Sequence, residues 1–204
     1  MKALSLGVLA TCAAGLFMVR PAQAAVFTLD PNYLDDYSTR LNMNAGAGVA
    51  SFTGDLGDRT NTGPSWLARG TYDLTSSVGV EGTYLGAHNG IDDTRLPTAQ
   101  GITTTSLQAA LKLGAPLLVG SVFFKPYVSG GVGAAYYGVS GNSNNLYGSD
   151  SALEFPLAAG ADAFVSHNVS LGARFDWMVN AANRVSAEGG GNQINISGMV
   201  GYHY

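Results

Sequence analysis

The segment Gln193–Tyr204, QINISGMVGYHY, decides the fold class because its side chains change character from one residue to the next. The even positions carry Ile194, Ile196, Val200, Tyr202 and Tyr204, and the odd positions carry Gln193, Asn195, Ser197 and His203. Successive side chains of a β-strand point to opposite faces. The segment therefore predicts a strand with one apolar face and one polar face.

The same alternation recurs along the chain in segments of about ten residues or more, long enough to cross a bilayer when tilted. The predicted strands are Asn42–Phe52, Ser65–Leu74, Val78–Ala87, Ile102–Leu113, Val122–Val139, Ala152–Val165, Val169–Asn180 and Gln193–Tyr204. Their connections alternate between long and short, as outer loops and periplasmic turns do in membrane barrels. This pattern predicts an all-β fold, an eight-stranded antiparallel up-and-down transmembrane β-barrel.

The N-terminus has the features of a secretion signal. Lys2 precedes the apolar run Ala3–Val19, and Ala22-Gln23-Ala24 is a small-residue cleavage signature. Asp30-Pro31 then pairs a capping residue with a proline, which favours the start of a short helix. The expected division is residues 1–24 as signal peptide, 25–41 as a periplasmic lead-in with this short helix, and 42–204 as the barrel.

Composition narrows the functional classes. Only 12% of the residues are charged, against about a quarter in soluble domains, and the chain has 28 Gly and 10 Tyr. Cleavage would remove Cys12, the only cysteine, so the mature chain would lack thiol chemistry and disulfides. With 10 basic and 14 acidic residues in the whole chain, nucleic acid is not an expected partner. No cofactor or metal is predicted.

Charged side chains fall on only one face of the predicted strands. The predicted inward-facing charges are Arg69, Asp73, Glu81, Lys112, Lys125, Glu154, Asp162, Arg174 and Asp176. An Arg or Lys facing lipid at the bilayer centre costs about 2–4 kcal/mol. We therefore expect the uncharged face to meet lipid and the charges to form a paired network in a narrow lumen.

Aromatic residues on the apolar faces form two groups, one towards each predicted end of the barrel. Those towards the long loops are Trp66, Tyr136, Phe155 and Trp177, and those towards the short turns are Tyr72, Phe124, Tyr202 and Tyr204. Two aromatic belts around an aliphatic band are typical of a protein that spans a membrane.

The alternating strands, the loop rhythm and the ending Val200-Gly201-Tyr202-His203-Tyr204 resemble the small eight-stranded outer-membrane barrels, the group of the OmpA transmembrane domain, OmpX and the opacity proteins. The resemblance implies a location in the bacterial outer membrane, among its lipid and lipopolysaccharide. It also implies that Tyr202 and Tyr204 belong to the signal recognised by the outer-membrane assembly machinery.

The expected function is a structural or surface-interaction role without catalysis, in which the four outer loops present an extracellular ligand site. Loop acids such as Asp55 and Asp92 could instead hold Ca²⁺ or Mg²⁺ together with lipopolysaccharide phosphates. A small passive pore is the main alternative.

A lipid-A-modifying enzyme is the third function considered. Some small barrels of this kind use a Ser and a His at the outer rim. In this sequence only His88 opens a predicted outer loop, without an accompanying His-x-Ser motif.

Overall fold

The computed structural model describes residues 41–92, 100–119, 122–140, 149–166, 168–181 and 191–204. The elements are β1 (Leu41–Phe52), the 3₁₀ helix η1 (Gly54–Arg59), β2 (Gly63–Asp73), β3 (Val78–Ile91), β4 (Gln100–Gly114), β5 (Leu117–Val119), β6 (Val122–Ser140), β7 (Asp150–Phe164), β8 (Val169–Ala181) and β9 (Gln193–His203). The predicted signal peptide and all but the last residue of the predicted lead-in lie outside the described residues.

Eight long strands close into an antiparallel barrel. β1 pairs with both β2 and β9, from Leu41↔Tyr72 on one side and Asn42↔His203 on the other. β4 pairs with β6, which completes the circuit. The remaining strand, β5, is only three residues long and pairs only with β6. Closure leaves no edge strand among the eight, and the predicted barrel is confirmed.

Several predicted boundaries were wrong. β3 continues to Ile91, so His88 lies in a strand and not at the start of a loop, because the β3–β4 ladder extends through His88↔Thr103 to Ile91↔Gln100. The predicted turn of residues 114–120 contains β5, and the predicted polar loop of residues 53–63 contains η1. Leu41, assigned to the lead-in, is the first residue of β1.

Proline cannot donate a ladder hydrogen bond, so Pro156 is expected near a rim of the barrel, but it lies in the middle of β7. It pairs with Met178 of β8. The pairing of β7 with β6 includes Gly130↔Leu157 and Gly133↔Glu154 but not the positions between them. Because proline has no N–H to donate, the ladder is interrupted there without a change of register.

Side chains alternate between the barrel interior and its outer surface along each strand. In β2 the buried residues are Ser65, Leu67, Arg69, Thr71 and Asp73, whereas Trp66, Tyr72 and the neighbouring Leu74 are exposed. Both groups of aromatic residues predicted from the sequence point outward, from Trp66 (43% exposed) to Tyr204 (80% exposed), although Phe124 is half-buried. No helix in the described ranges is long and apolar enough to cross a membrane.

Candidate functional site

The candidate site is the barrel lumen, where all nine charged residues singled out in the sequence are found. Their exposed fractions do not exceed 9%: Arg69, Asp73, Glu81, Lys112, Lys125, Glu154, Asp162, Arg174 and Asp176. They come from six strands. Each one occupies a position whose side chain points into the barrel, given the alternation of side chains along its strand. Their partners divide them into separate groups along the lumen.

The largest group surrounds Tyr127 at mid-height. Arg69 Nη1 donates to Tyr127 Oη at 2.5 Å and lies 3.7 Å from Glu81 Oε2, while Nη2 lies 3.3 Å from Asp162 Oδ1. Lys112 Nζ lies 3.2 Å from Asp162 Oδ2 and 4.0 Å from the centre of the tyrosine ring. The two cations therefore share one carboxylate and one aromatic ring, which stabilises both in this buried site.

A glycine makes room for this tyrosine. A Cβ added at Gly160 would lie 2.6 Å from Tyr127 Cζ and 2.6 Å from the backbone oxygen of Ala173. Any side chain at residue 160 would displace the ring. The small residue on β7 thus lets a tyrosine from β6 lie inward across the lumen.

Arg174 connects this group to a second set of hydrogen bonds. Its Nη1 lies 2.7 Å from Glu81 Oε1, and its Nε donates to Asp176 Oδ1 at 2.6 Å. Asp176 Oδ2 accepts from Asn195 Nδ2 at 3.1 Å, and Asn195 Oδ1 accepts from Ser65 Oγ at 2.5 Å. Glu81 is therefore held between two arginines, as a buried carboxylate requires.

The periplasmic end of the lumen contains a further polar group. Lys125 Nζ lies 3.1 Å from Asp73 Oδ2, which also accepts from Asn42 Nδ2 at 2.8 Å. His203 Nδ1 contacts Asn42 Oδ1, and His203 Nε2 lies 2.7 Å from Ser170 Oγ. Side chains from β1, β8 and β9 thus join where the first and last strands meet.

Ser170, His203 and Asn42 contact one another in the order of a serine-hydrolase triad. The site is closed, however, because Ser170 is 0% exposed and Phe164 lies over the histidine at 4.5 Å between ring centres. Phe123 in turn contacts Phe164 edge-on at 5.0 Å. A substrate could not reach the hydroxyl. We therefore interpret this group as hydrogen bonds across the seam of the barrel, where the first strand, β1, pairs with the last strand, β9. Sequence reasoning missed it because its members are far apart in the chain.

The outer end of the lumen contains an apolar cluster, which the sequence analysis did not predict, next to buried polar residues such as Asn89 and Gln193. A buried cluster there consists of Phe52, Leu56, Ile91, Ile102, Ala135, Tyr137 and Ala152. Leu56, from η1, is 0% exposed. Its backbone oxygen accepts from Thr60 Oγ1 at 2.8 Å, and the Asp92 amide donates to the Arg59 oxygen at 2.8 Å. The first outer connection therefore folds into the barrel mouth as an apolar plug.

His88 lies outside the lumen. Its side chain is exposed on the outer face of β3, where Nδ1 lies 3.0 Å from Thr103 Oγ1 on β4. In the part of the chain that the structure describes, no carboxylate hydrogen bond to this ring is recorded, and no group of three His, Cys, Asp or Glu could hold a metal ion.

The loop charges are only partly described. Asp55, Asp58 and Asp92 are exposed to solvent. Asp150, assigned to a loop from the sequence, begins β7. Of the other charged residues in the long connections, Arg59 is half-buried in η1, whereas Asp93, Arg95, Arg184 and Glu188 lie outside the described residues.

A closed eight-stranded barrel with an ionic lumen and an apolar exterior defines the class of small membrane-spanning β-barrels. The family described as "outer membrane protein beta-barrel domain" matches residues 9–204, and the chain belongs to it. The protein is therefore a β-barrel of the bacterial outer membrane. No curated protein sequence matches the chain.

Solved structures with the same fold include Neisserial surface protein A, at 16% identity and a TM-score of 0.58, covering 80% of this chain and 97% of that one. OprG of Pseudomonas aeruginosa matches at 13% identity and a TM-score of 0.55, covering 83% and 98%. Ail of Yersinia pestis, crystallised with the heparin analogue sucrose octasulfate, matches at 14% identity and 0.51, covering 80% and 97%. At these identities the likeness shows the fold alone.

Proposed function

We propose that this barrel is a non-conducting, non-catalytic outer-membrane protein with a structural and surface-interaction role. The observation that supports this most is the filling of its lumen. An eight-stranded barrel is just wide enough for its own side chains. Here the ionic groups occupy the middle and the periplasmic end, and the plug around Leu56 occupies the outer end.

The ionic groups in the middle of the lumen and the apolar plug at its outer end would have to move in different ways to let a solute pass. Passage through the middle requires Arg69 and Arg174 to leave their carboxylates, which exposes uncompensated buried charge. Passage through the outer end requires Leu56 to leave the apolar cluster, which exposes hydrocarbon to water. Because both changes are unfavourable, we expect a steady open state to be unpopulated.

Planar-bilayer recording tests the closed lumen. The purified refolded protein should give no large, steady channels, and Leu56→Ala should still give none because the ionic groups remain in place. Arg174→Gln should change stability more than conductance, because it breaks a buried ion pair while a neutral side chain still occupies the lumen. Steady channels in the unaltered protein would favour the passive pore instead.

The surface role is proposed from the architecture. Loops on a rigid scaffold are where barrels of this kind carry binding residues. Exposed Asp55, Asp58 and Asp92 give the described part of the outer face an acidic character, which suits lipopolysaccharide phosphates bridged by divalent cations better than a polyanionic ligand. We therefore do not extend the sulfated ligand of Ail to this chain.

Deletion of residues 141–148 tests the surface role. These residues lie between β6, which ends at Ser140, and Ser149, so both flanking strands are retained. The difference in gel migration between boiled and unboiled protein shows whether the barrel is folded. Loss of adhesion with this difference unchanged supports an interaction protein. Unchanged adhesion would mean that binding uses another part of the protein, or that the protein has a structural role only.

Recognition by the assembly machinery is proposed for Tyr202 and Tyr204. Their rings point outward and meet edge-on at 5.5 Å between centroids. Tyr204→Ala should reduce insertion in cells while leaving refolding in detergent intact. Equal loss in both settings would indicate a role in stability and not in recognition.

The non-catalytic assignment has its own test. His88 and Thr103 form an exposed hydrogen-bonded pair on the outer face of β3 and β4, towards the long-loop end. We expect refolded protein to leave lipid A and peptides intact. Turnover that His88→Ala abolishes would identify an enzyme.

A further inference from the structure

Glu154 differs from every other charged side chain in the lumen. In the described residues each of the other eight takes part in an ion pair: Arg69, Asp73, Glu81, Lys112, Lys125, Asp162, Arg174 and Asp176. Glu154 takes part in none of the recorded pairs, although it is 0% exposed. Four basic side chains thus face five acidic ones, and the acid that lacks a cation is Glu154.

The side chains that contact the Glu154 carboxyl are neutral, and both reach the same oxygen. Oε1 is hydrogen-bonded to Ser106 Oγ and accepts from Gln108 Nε2 at 2.9 Å. Gln108 Nε2 also lies 3.0 Å from Ser106 Oγ. Oε2 is buried and has no hydrogen-bond partner among the described residues. Neither contact supplies the positive charge that a buried carboxylate needs.

These contacts suit a carboxyl group that carries a proton on Oε1. A hydroxyl can both donate and accept, so Ser106 Oγ can accept that proton in a hydrogen bond. Oε2 is then the carbonyl oxygen of an acid, and leaving it unpaired costs far less than burying a charge. In the ionised form Oε2 would carry part of a negative charge with no donor in the described residues. The geometry therefore favours the neutral acid.

The ionisable groups on the surrounding strands do not compensate a negative charge on Glu154. Each cation among them is already paired with another carboxylate, and the hydroxyls of the two tyrosines are bonded to Arg69 and Asn180. The charge that acts on Glu154 is that of Asp176, which has the same sign. The buried ionisable side chains on β4, β6, β7 and β8 are, besides Glu154, Lys112, Lys125, Tyr127, Tyr137, Asp162, Arg174 and Asp176.

Glu154 lies between the two parts of the lumen that close it. Ala152, two residues earlier on the same face of β7, belongs to the apolar cluster at the outer end. Asn180, which pairs with Glu154 on β8, accepts at 2.9 Å from the hydroxyl of Tyr137, another member of that cluster. On the other side, Asp176 belongs to the ionic middle. A change of charge at Glu154 therefore acts on both parts.

We propose that Glu154 is a neutral acid bonded to Ser106 and serves as a pH-sensitive latch for the outer end of the lumen. When the proton leaves Oε1 for the solvent at high pH, the resulting carboxylate lies near Asp176 without a cation. Water has to enter to solvate this carboxylate, and the apolar cluster has to loosen to admit the water. At lower pH the proton returns and the outer end closes.

The pH dependence of unfolding tests the proton. Glu154→Gln is the matched variant, because an amide has the shape of the neutral acid and does not ionise. Both proteins are unfolded with urea in zwitterionic lipid vesicles at constant ionic strength. An unfolded chain ionises its glutamates near pH 4.3, so above about pH 5 unfolding releases a proton that the folded protein keeps. The folded-to-unfolded ratio of the unaltered protein should therefore fall, relative to Glu154→Gln, by up to about tenfold per pH unit.

Infrared spectroscopy detects the proton directly, because a protonated carboxyl group has a carbonyl band that carboxylates and amides lack. The difference spectrum between the unaltered protein and Glu154→Gln should contain this band at neutral pH and lose it at high pH. Asp55→Asn, at an exposed loop carboxylate, is the control and should keep the band and the pH dependence. If Glu154→Gln does not fold, as judged by the gel shift on boiling, Glu154→Met replaces it.

Labelling of a cysteine in the plug tests the latch. Leu56→Cys in a chain that also carries Cys12→Ser has a single thiol, at a position that is fully buried. Its reaction with a water-soluble thiol reagent should accelerate more steeply with pH than it does when Glu154→Gln is added. The chain with Glu154→Gln corrects for the ionisation of the thiol itself.

Two results would overturn the proposal. Equal pH dependence of unfolding in the unaltered protein and Glu154→Gln, or the absence of the carboxyl band, would mean that Glu154 is ionised in the folded protein. Equal labelling of the two Leu56→Cys chains at every pH would mean that the proton on Glu154 does not control the outer end.

Discussion

The middle of the lumen and its outer end are closed by different physical means. In the middle, Arg69, Arg174 and Lys112 are held by carboxylates at 2.6–3.7 Å, which come from their own strand, from a neighbouring strand and from across the lumen. At the outer end, Leu56 from the loop beside β1 packs on Phe52 and other apolar residues. The comparison shows that the middle depends on exact pairing of charge, whereas the outer end depends on excluding water from hydrocarbon.

The largest expected effect comes from the ionic middle. Arg174→Met leaves Glu81 with one ion pair, the 3.7 Å contact to Arg69, and leaves Asp176 without its cation. Removal of one member of a buried ion pair costs about 3–5 kcal/mol. The free energy of unfolding in vesicles, measured with urea, should fall by that amount. Lys125→Met, nearer the periplasmic mouth, is the control and should cost less; equal losses would contradict the central position of Arg174.

The second-largest loss of stability is expected when a charge is introduced on the outer, lipid-facing surface of the barrel. Leu111 is 60% exposed on the outside, beside Lys112, which is buried and paired inside. Leu111→Arg should be destabilising because the new charge faces lipid, with about 2–4 kcal/mol, the cost at the bilayer midplane, as the upper bound. Leu74→Arg, in the short turn between β2 and β3, is the control and should not lower the stability in this way. A tolerated Arg at position 111 would place that face in water.

The outer end should respond more mildly. Leu56→Ala removes a fully buried side chain and should cost about 2–3 kcal/mol, the lower part of the range for such changes, because η1 can move into the space. Leu56→Met, which preserves volume, should restore most of the unfolding free energy. A larger loss than that of Arg174→Met would reverse the ranking of the two regions.

The smallest effect is expected at the periplasmic seam. His203→Phe removes the contacts with Ser170 and Asn42 but keeps a ring against Phe164. The loss of hydrogen bonds to neutral groups should cost about 1–2 kcal/mol and mainly accelerate unfolding. Stopped-flow unfolding measures this, with Tyr202→Phe on the same strand as the control. No change in rate would mean that the seam is held by backbone pairing alone.

The barrel itself was predictable because its information is local. Alternation along Ser65–Asp73 assigns Trp66 and Tyr72 to one face and Arg69 to the other without knowledge of any partner strand. The same rule applies to each long strand. The limits of β3 were missed because His88 and Asn89 resemble loop residues in isolation, and only their pairing with Thr103 and Ile102 keeps them in the sheet.

The pairing inside the lumen was not predictable for the opposite reason. Arg69 and Asp162 are 93 positions apart, and their contact depends on the register of every strand between them. Leu56 gave no periodic signal because it is a single apolar residue among Gly, Asp and Arg. The seam group of Ser170, His203 and Asn42 likewise has no spacing that a sequence could reveal.

Tryptophan fluorescence tests most directly whether lipid meets the uncharged face of the barrel. The chain has two tryptophans, Trp66 and Trp177, and both are 43% exposed on the outer face. In vesicles of brominated lipid their emission should be strongly quenched, whereas acrylamide in the water should have little effect. Emission that is quenched by acrylamide and unchanged by brominated lipid would contradict the account, because the apolar face would then lie in water.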